Sequence, residues 1–559
     1  MENQKEIEPS SKELSPYAGR WVAIIGRKVI SQGGTPRQAL NAAKNSRIKE
    51  TPKIIYVPTK KPLQYFPPID SIVSVLPSNI PMFLVGGAVR DAILHKDLHD
   101  LDFIVPDDGL KVGRQVADRL KAAYYPLDKE RKSGRVVHQR SDGSYLVIDF
   151  TVRQGSNLES DLSARDFTVN AIAVDVKRNH ELFDPLSGTA DLDAQLLRSC
   201  SPDSFISDPI RIIRGIRFAA EFNFRFHPQT RSLMQEATPL IPQTAPERLR
   251  DEFFKILDVP QVSKSIQALD SLDALHYLLP ELSNLKGVNQ SPPHHENAWN
   301  HSLSTVDCFS EILKLFTKGD AKILIDDELR DSFIRYLSSF KQKIGIHLET
   351  PISRERSLKS LINLAALYHD IGKIDTFEIN KAGLLHFHGH EKVGAQIINR
   401  RAKKLRLSNA ENGRLVTIIR NHMRPLLLAQ SGRELSRRAI YRFYKDTRSA
   451  GVDVCLLSLA DTLATYNLSP PLIVWEELLD IVRHLLTAWF NQRSSTVSPS
   501  PLISGNDLIE QFGLKPGPIV GDLLEVVREA QAEGKVKTKE EAMALAHRLL
   551  GSASISDFI

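Results

Sequence analysis

The 559-residue sequence predicts an α+β fold, with a β-sheet in the amino-terminal part and mainly helices after it. Between about residues 80 and 200, short apolar runs typical of strands alternate with amphipathic stretches typical of helices. From about residue 205 onward, apolar residues recur at helical spacing and little strand signal remains. A chain of this length holds roughly three or four domains of ordinary size.

The amino-terminal residues predict a leader, a small module and a linker. The polar and acidic segment 1–15 is typical of a disordered leader. A small α/β module of unknown role is predicted over 16–60, because WVAII, Gly26 and KVIS resemble a hairpin and are followed by a helical stretch and the strand KIIYV. The proline-rich stretch around Pro58–Pro68 predicts a linker.

Composition and charge narrow the function classes only a little. The net charge of +6 is the small difference between 73 basic and 67 acidic residues. Between Glu391 and Ala450 there are 15 Lys/Arg and 4 Asp/Glu, which suits either a phosphate-binding surface or a solvated helix face. The three cysteines form no CxxC pair, which indicates a reducing compartment. Without a signal peptide or a membrane-length apolar run, we expect a cytoplasmic protein with no membrane partner.

The most informative local pattern is FLVGGAVRDAILHKDLHDLDFIV, residues 83–105. A predicted strand leads into Gly86 and Gly87, and a helix begins near Ala88. Two glycines at this point let backbone amides approach a bulky anion closely, and the helix N-terminus presents free N–H groups to it. The pattern is therefore typical of a phosphate-binding turn, although tight turns also produce it.

Three carboxylates follow on predicted strands. Asp100 and Asp102 are two residues apart, so a strand places both on one face. Such a pair is unfavourable unless cations neutralise it, and Mg²⁺ suits carboxylates together with substrate phosphates. Two such ions would support two-metal phosphoryl transfer, whereas a merely polar strand end is the alternative. Asp149 in the apolar run YLVIDFTV is a costly placement, which predicts a third catalytic ligand on an adjacent strand.

Six motifs in a fixed order identify a family. They are GGAVRD, D-x-D, ARDFTVNAIA (164–173), FDPLSG (183–188), DPIRIIRGIRFA (208–219) and ERLRDEFFKIL (247–257). With them the chain resembles the class II tRNA nucleotidyltransferase and bacterial poly(A) polymerase family, over about 80–290 and in the tail at 505–550. The resemblance implies a polymerase-β-like head with a mixed sheet over 78–205. It also implies a helical, nucleotide-selecting and RNA-binding neck over 206–290 and a helical tail over 503–559.

The resemblance also implies roles for individual residues. Asp100 and Asp102 would hold Mg²⁺ in the head. The residues implied to bind the nucleotide are Gly86, Gly87, Arg90, Arg165, Asp166, Asn170, Asp208, Arg211 and Arg214. Gly87 and Arg90 would contact the phosphates, and Arg165, Asp166 and Asn170 would lie near the ribose. Asp208 and Arg211 would read the base edge, with Arg214 near the same pocket.

The predicted base-reading residues also make chemical sense. Carboxylate acceptors and planar arginine donors can pair with the edges of C or A, so that protein replaces a template. Their spacing predicts that Asp208, Arg211 and Arg214 share one helical face, where a ladder of i, i+3 salt bridges is the alternative. Two departures from the family pattern, Ala164 before Arg165 and Ser207 before Asp208, bear on nucleotide selectivity.

Residues 291–490 carry a second set of candidate metal ligands, in a pattern that resembles the HD phosphohydrolase superfamily. The six residues are His301, His369, Asp370, His390, His422 and Asp461. The resemblance implies a helical HD domain that holds a divalent transition metal or Mg²⁺ and hydrolyses phosphate esters. His388 is a rival to His390 as a ligand, and a helical RNA-binding body with buried histidines is the alternative.

These patterns together predict a template-independent RNA 3′-end nucleotidyltransferase. It would add CCA, or part of it, to tRNA from CTP and ATP by two-metal transfer, and its HD domain would act as a phosphohydrolase. The alternatives are a poly(A) polymerase acting on other RNA 3′ ends, an HD metallohydrolase with an inactive transferase head, and an RNA-binding scaffold.

Overall fold

A computed structural model of the protein describes most of the chain. The described residues are 11–18, 20–34, 36–46, 50–57, 72–78, 80–177, 181–316, 324–353, 356–381 and 385–551. The chain divides into two compact units, Met1–Gln243 and Thr244–Ile559. Mixed sheet in the first unit and helices in the second confirm the predicted α+β class.

The first unit begins with a small three-stranded sheet and one helix. The elements are α1 (Ser11–Leu14), β1 (Arg20–Ile25), β2 (Lys28–Gly33), α2 (Pro36–Asn45) and β3 (Lys53–Val57). The strands run antiparallel in the order β2-β1-β3, as the hairpin and strand signals predict.

The structure describes part of the predicted leader and none of the predicted linker. Residues 1–10 and the predicted linker around Pro58–Pro68 lie outside the described residues. Disorder was the wrong prediction for Ser11–Ser15, which form α1 and the first residue of a 3-10 turn that ends at Tyr17. The physical reason is apolar contact, because Leu14 and Tyr17 pack against the buried side chains of the small sheet.

The main sheet of the first unit has seven strands in the order β10-β9-β4-β5-β8-β7-β6. Their bounds are β4 Phe83–Val85, β5 Asp100–Val105, β6 Ala123–Asp128, β7 Ser133–Gln139, β8 Tyr145–Val152, β9 Ala173–Asp175 and β10 Glu181–Phe183. Strands β5 and β8 are parallel and every other pair is antiparallel, so the sheet is mixed. The β6–β7 hairpin was not predicted, because β6 is an exposed edge strand with Pro126 inside it.

Helices surround this sheet and continue beyond it. They are α3 Gly87–Ile93, α4 Gly109–Leu120, α5 Leu158–Ser163, α6 Gly188–Asp193, α7 Ser204–Ser207, α8 Ile210–Phe222 and α9 Pro228–Ala237. A 3-10 turn spans Thr168–Asn170, and the short strands β11 (Leu196–Leu197) and β12 (Arg225–Phe226) pair in parallel. Helix α4 lies close against β8, since a Cβ on Gly109 would come within 2.3 Å of the Phe150 carbonyl oxygen.

The second unit is mainly helical. Its helices are α10 Pro246–Asp258, α11 Val262–Ser271, α12 Ala274–Leu278, α13 Pro280–Ser283, α14 Ala298–Phe316, α15 Asp327–Leu337, α16 Lys341–Glu349, α17 Leu358–Tyr368, α18 His390–Lys404, α19 Asn409–Asn421, α20 Arg424–Gln430, α21 Arg437–Thr447, α22 Gly451–Thr465, α23 Leu472–Asn491, α24 Gly505–Phe512, α25 Pro518–Glu533 and α26 Lys539–Gly551. Two small hairpins pair β13 (Pro351–Ser353) with β14 (Arg356–Ser357), and β15 (Glu378–Ile379) with β16 (Leu385–His386).

Two of these helices form the centre of the second unit. Almost every side chain of α17 and α22 is buried, which is typical of helices enclosed by others. The last three helices, α24 to α26, enclose a separate apolar cluster that includes Leu508, Leu523 and Leu549. None of the described helices has the length and apolarity needed to cross a membrane.

Candidate active site and candidate metal cluster

The three carboxylates predicted for the head lie on the two parallel strands of the main sheet. Asp102 on β5 is level with Asp149 on β8, and Asp100 begins β5. Asp100 is exposed, whereas the other two are half-buried. Burial, and then the charges of Asp149 and Asp100, raise the pKa of Asp102 to about 6, although Arg165 and Arg135 oppose the shift. The edge formed by these strands is therefore strongly electronegative and suited to cations.

Arg135 is a site residue that the sequence did not reveal. It lies on β7 directly opposite Asp149. Its Nε and Nη2 donate to the two carboxylate oxygens of Asp149, both at 2.8 Å. This bidentate pair supplies a positive charge beside the predicted ligands. Because β7 was not predicted, no local signal linked Arg135 to Asp149.

Gly86 makes room for a second arginine. Its φ of +73° lies in the left-handed region that favours glycine. A Cβ here would lie 3.0 Å from Nη1 of Arg165 and 3.6 Å from Oδ2 of Asp102. Glycine thus lets the Arg165 guanidinium lie beside the carboxylate. The turn before α3, the strand β5 with the predicted metal ligands, and the ARDF motif meet at this point.

Arg90 is buried against the turn that carries Asn170. Its Nε and Nη2 donate to the two carboxylate oxygens of Asp91, at 2.9 and 3.0 Å, and its Nη1 donates to Oδ1 of Asn170 at 2.7 Å. The guanidinium carbon also lies 4.4 Å from the ring centre of Phe222. In this arrangement Arg90 anchors α3 to the Thr168–Asn170 turn.

Asp166 is a second buried anchor. Its carboxylate accepts from the backbone N–H of Phe167 at 2.8 Å, from Asn170 at 3.0 Å and from Arg214 at 3.2 Å. Burial alone would raise the pKa of Asp166, but Arg214 and these hydrogen bonds outweigh it and lower that pKa. The buried carboxylate is therefore ionised and joins the ARDF motif to α8.

The structure places two of the three predicted base-reading residues, Arg211 and Arg214, in α8. One shared helical face was the wrong prediction for Asp208, which precedes α8 in extended backbone with φ −151° and ψ 92°. The residue before a proline is disfavoured from helical backbone, and Pro209 follows it. Arg211 lies in α8 and donates to the carbonyl oxygens of Ala164 (2.8 Å) and Arg165 (3.2 Å) and to the hydroxyl of Ser204 (2.9 Å). Arg211 thus holds the ARDF turn in place.

The second unit brings all six predicted HD-type ligands together. Nε2 of His301 lies 2.9 Å from Oδ1 of Asp461, and Nε2 of His369 lies 3.2 Å from Oδ2 of Asp370. Nε2 of His390 lies 3.4 Å from both Oδ1 of Asp370 and Nε2 of His422. The ligands come from the end of α17, the start of α18, the end of α19, and the interiors of α14 and α22.

Backbone carbonyls orient three of these imidazoles. Nδ1 of His369, His390 and His422 lies within 2.8 Å of the carbonyl oxygen three residues earlier. An Nδ1–H donated to a carbonyl leaves Nε2 unprotonated in the neutral ring, and in all three Nε2 faces the cluster. The side chains are therefore arranged as metal ligands usually are.

The charges of the cluster also suit a metal ion. Burial disfavours charge on His369, but Asp370 and Asp461 outweigh it and raise the pKa of His369 to about 10. Burial and the neighbouring histidines lower the pKa of His422 to about 3, so that ring is neutral. Among the described residues, the buried Nε2 of His369 lies 3.2 Å from Asp370 and 3.5 Å from Asp461, in a geometry that makes a hydrogen bond to neither. A divalent cation would balance the two carboxylates and use that nitrogen, so the donor set fits a metal.

Two further residues join the cluster. His294 lies within reach of a metal shared with His301 and Asp370, and burial, with the nearby Lys373, lowers the pKa of His294 to about 4. Nζ of Lys373 lies 2.6 Å from Oδ2 of Asp370. The sequence prediction left His294 out of the ligand set, although the histidine pair in SPPHHENAW (291–299) was a visible signal. The rival ligand His388 is exposed, with its ring stacked on His386 rather than in the cluster.

Family models match successive parts of the chain. The Poly A polymerase head domain matches residues 82–198, and the RNA and SrmB binding site of polymerase A matches 223–286. The HD domain matches 339–466, and the tRNA nucleotidyltransferase domain 2 matches 466–546. Residues 12–60 match a family of unknown function.

Relatives match along nearly their whole length. An A-adding tRNA nucleotidyltransferase of Deinococcus radiodurans is 31% identical over 473 residues, which cover 83% of this chain and 94% of the relative. A CC-adding tRNA nucleotidyltransferase of Thermus thermophilus is 31% identical over 469 residues, covering 83% and 92%. A solved structure of a CCA-adding enzyme with ATP shares the fold, with TM-score 0.55, 20% identity, and coverage of 87% of this chain and 96% of that one.

We expect Asp102→Asn to stabilise the metal-free protein in a pH-dependent way. Because the folded-state pKa of Asp102 is raised to about 6, the wild type loses stability as the pH rises from about 4 through 6. The neutral amide avoids that loss, so the gain in the free energy of unfolding should be full above pH 6 and shrink towards pH 4. Denaturant unfolding with a chelator present measures it. A gain of equal size at pH 4 and pH 8 would contradict the electrostatic explanation.

We expect His294→Ala to weaken metal binding at the second cluster by about 10- to 100-fold, as changes around a metal site commonly do. Calorimetric titration of the chelator-treated protein with Mn²⁺ measures the affinity. His295→Ala is the matched control, because its side chain is adjacent in sequence and exposed. Equal affinity of the His294 and His295 variants would exclude His294 from the site.

Proposed function

The chain belongs to the tRNA nucleotidyltransferase family, and from this we propose that it adds all or part of the CCA sequence to the 3′ end of tRNA, with CTP and ATP as nucleotide donors. The transfer joins the terminal 3′ oxygen of the RNA to the α-phosphate of the nucleotide and releases pyrophosphate. The observation that carries the proposal is the set of three carboxylates on β5 and β8, with Asp102 level with Asp149.

In this proposal Asp100 and Asp102 hold Mg²⁺, with Asp149 as a third ligand. Bound Mg²⁺ would neutralise phosphate charge and lower the barrier to attack by the 3′ hydroxyl. The protein's own groups orient the reactants. Gly86 and Gly87 leave space for the triphosphate at the start of α3, and Arg165 adds positive charge beside Asp102.

The remaining motif residues act by holding that arrangement. Arg90 and Asn170 fix α3, while Asp166 and Arg214 fix α8 against the ARDF turn. In this proposal nucleotide choice depends on Asp208 and Arg211. Asp208 lies two residues before the start of α8, and Arg211 is the second residue of that helix. The two relatives described above are named for adding A and CC, which supports partial addition as one form of the proposed reaction.

We expect the double variant Asp100→Ala, Asp102→Ala to lose nucleotide addition by at least about 1,000-fold, which corresponds to about 4 kcal/mol of lost transition-state stabilisation. The assay combines Mg²⁺ with CTP, ATP or both, and with tRNA ending before CCA or after CC. Asp107→Ala removes an exposed carboxylate close by and is the matched control.

The pattern of extension identifies the activity. Addition of CCA, CC or A supports the proposal and says which part of the sequence is made, whereas long A tracts would identify a poly(A) polymerase. No extension by the wild type would favour an RNA-binding scaffold or a hydrolase with an inactive head. Full activity of the double variant would contradict the metal assignment.

We also propose that the second cluster hydrolyses phosphate esters, such as 2′,3′-cyclic phosphates at RNA ends or on nucleotides. The specific observation is the convergence of three imidazole Nε2 atoms whose orientation the backbone fixes. A divalent metal, when bound, would activate water for attack on phosphorus. Lys373 keeps Asp370 in place by a hydrogen bond to its carboxylate. The backbone carbonyls already hold the three histidine rings in the orientation that metal binding would need.

We expect His369→Ala combined with Asp370→Ala to abolish hydrolysis of a 2′,3′-cyclic nucleotide and to leave nucleotide addition within about twofold of the wild type. The two reactions use separate ligand sets, so each can be lost alone. His388→Ala changes an exposed ring two residues before the start of α18 and is the control. Parallel loss of both activities would show that the sites are not independent.

A further inference from the structure

Two hydrogen bonds between described residues join the small amino-terminal sheet and helix, Arg20–Val57, to one motif of the head. The indole Nε1 of Trp21 donates to the carbonyl oxygen of Pro185, 164 residues further along the chain. The hydroxyl of Ser187 donates to the carbonyl oxygen of Gly34 at 3.0 Å. Trp21 is only 2% exposed, so this is a buried junction rather than a chance surface contact. Both head residues belong to FDPLSG.

The FDPLSG turn is held in an uncommon shape. Ser187 has φ 59° and ψ 37°, a left-handed conformation that residues with a Cβ seldom adopt without support. The buried carboxylate of Asp184 accepts from the backbone N–H of Gly188 at 2.6 Å and from that of Thr189 at 2.8 Å. The turn is thus fixed from inside by Asp184 and from outside by the amino-terminal module.

The turn touches the site along two routes. Leu186 packs against the cluster that contains Val85, the residue before Gly86, and Ile104 of β5. Gly188 lies so close to the Thr168–Asn170 turn that a Cβ would come within 2.1 Å of the Thr168 carbonyl oxygen.

The second route continues to the buried arginine of the head. The hydroxyl of Thr168 donates to Asp191 of α6 at 2.7 Å. Two residues later, Asn170 accepts from Arg90, which anchors α3. A displacement of the FDPLSG turn would therefore reach both the glycine turn and the helix that begins there.

We propose that the amino-terminal module is a brace for the nucleotide site, with Trp21 and Ser187 as positioning residues for nucleotide transfer. The module holds the FDPLSG turn, and the turn holds β4, Gly86 and the Thr168–Asn170 turn in the geometry that receives the triphosphate. Neither Trp21 nor Ser187 touches the reacting atoms, so their effect falls on nucleotide affinity more than on the chemical step. The inference rests on the proposed transferase function.

The test uses the full chain with substitutions that alter the junction and spare the fold. Trp21→Phe keeps a buried ring and removes the N–H donor. Ser187→Gly removes the hydroxyl and favours the left-handed backbone, whereas Ser187→Asn tolerates that backbone and restores a donor. Lys28→Ala, at the exposed first residue of β2, is the matched control within the same module.

The expected result is a rise in KM for CTP or ATP of about 3- to 10-fold for Trp21→Phe and for Ser187→Gly, the size that loss of one buried hydrogen bond allows. The kcat should change less than about twofold, Ser187→Asn should recover most of the affinity, and Lys28→Ala should match the wild type. Calorimetric titration with CTP and with ATP, without RNA, should show the same order of affinities.

These measurements separate two kinds of failure. A wild type that binds nucleotide and never extends tRNA would end the proposed function, while the titrations would still report on the brace. Extension by the wild type with KM and nucleotide affinity unchanged in Trp21→Phe and Ser187→Gly would overturn the brace. An equal fall in kcat for both variants with KM unchanged would also overturn it, because a positioning role acts on binding.

Discussion

The in-register parallel pairing of β5 with β8 is the constraint on which the rest of the first unit depends. It places Asp102 level with Asp149 and gathers negative charge on neighbouring strands in a half-buried location. Such charge is unfavourable unless cations lie close to it. Arg135 and Arg165 provide two cations from the protein itself, and the glycine at position 86 leaves room for the second. In the proposed reaction, bound metal ions would add further positive charge, which would balance the carboxylates and the triphosphate.

Several motif residues of the head hold one another in place through buried polar contacts. Arg90, Asp166 and Asn170 are buried and satisfied by one another and by their neighbours. The guanidinium N–H groups of Arg211 donate to backbone carbonyl oxygens of the ARDF turn. A charged residue in a motif is thus often a support, because a buried polar network fixes geometry only when every member is paired.

The second cluster obeys the same electrostatic constraint with different chemistry. Asp370 and Asp461 are buried, and burial of unpaired carboxylates would be costly. His369 and Lys373 offset their charge within the protein, and Nε2 of His301 lies 2.9 Å from Asp461. Backbone carbonyls at the ends of α17 and α19 set the ring orientation of His369 and His422, so helix ends position these ligands.

Local patterns in the sequence were sufficient to predict those features that depend only on residues close together in the chain. The two-residue spacing of Asp100 and Asp102 determined that they share a strand face, and the hairpin-like apolar runs around Gly26 predicted the small amino-terminal sheet. The ordered motifs were sufficient for the family, because six matches in sequence do not arise by chance. The α+β class followed from the same periodicities.

Only the tertiary structure decided which distant residues became partners. Arg135 meets Asp149 because of strand order, His294 joins the cluster through a segment without regular structure, and Trp21 meets Pro185 across 164 residues. Asp208 lies outside the helix because Pro209 follows it, although its spacing from Arg211 suited a helical face. Periodicity reports which face a residue occupies, but the packing of elements far apart in the chain determines what that face touches.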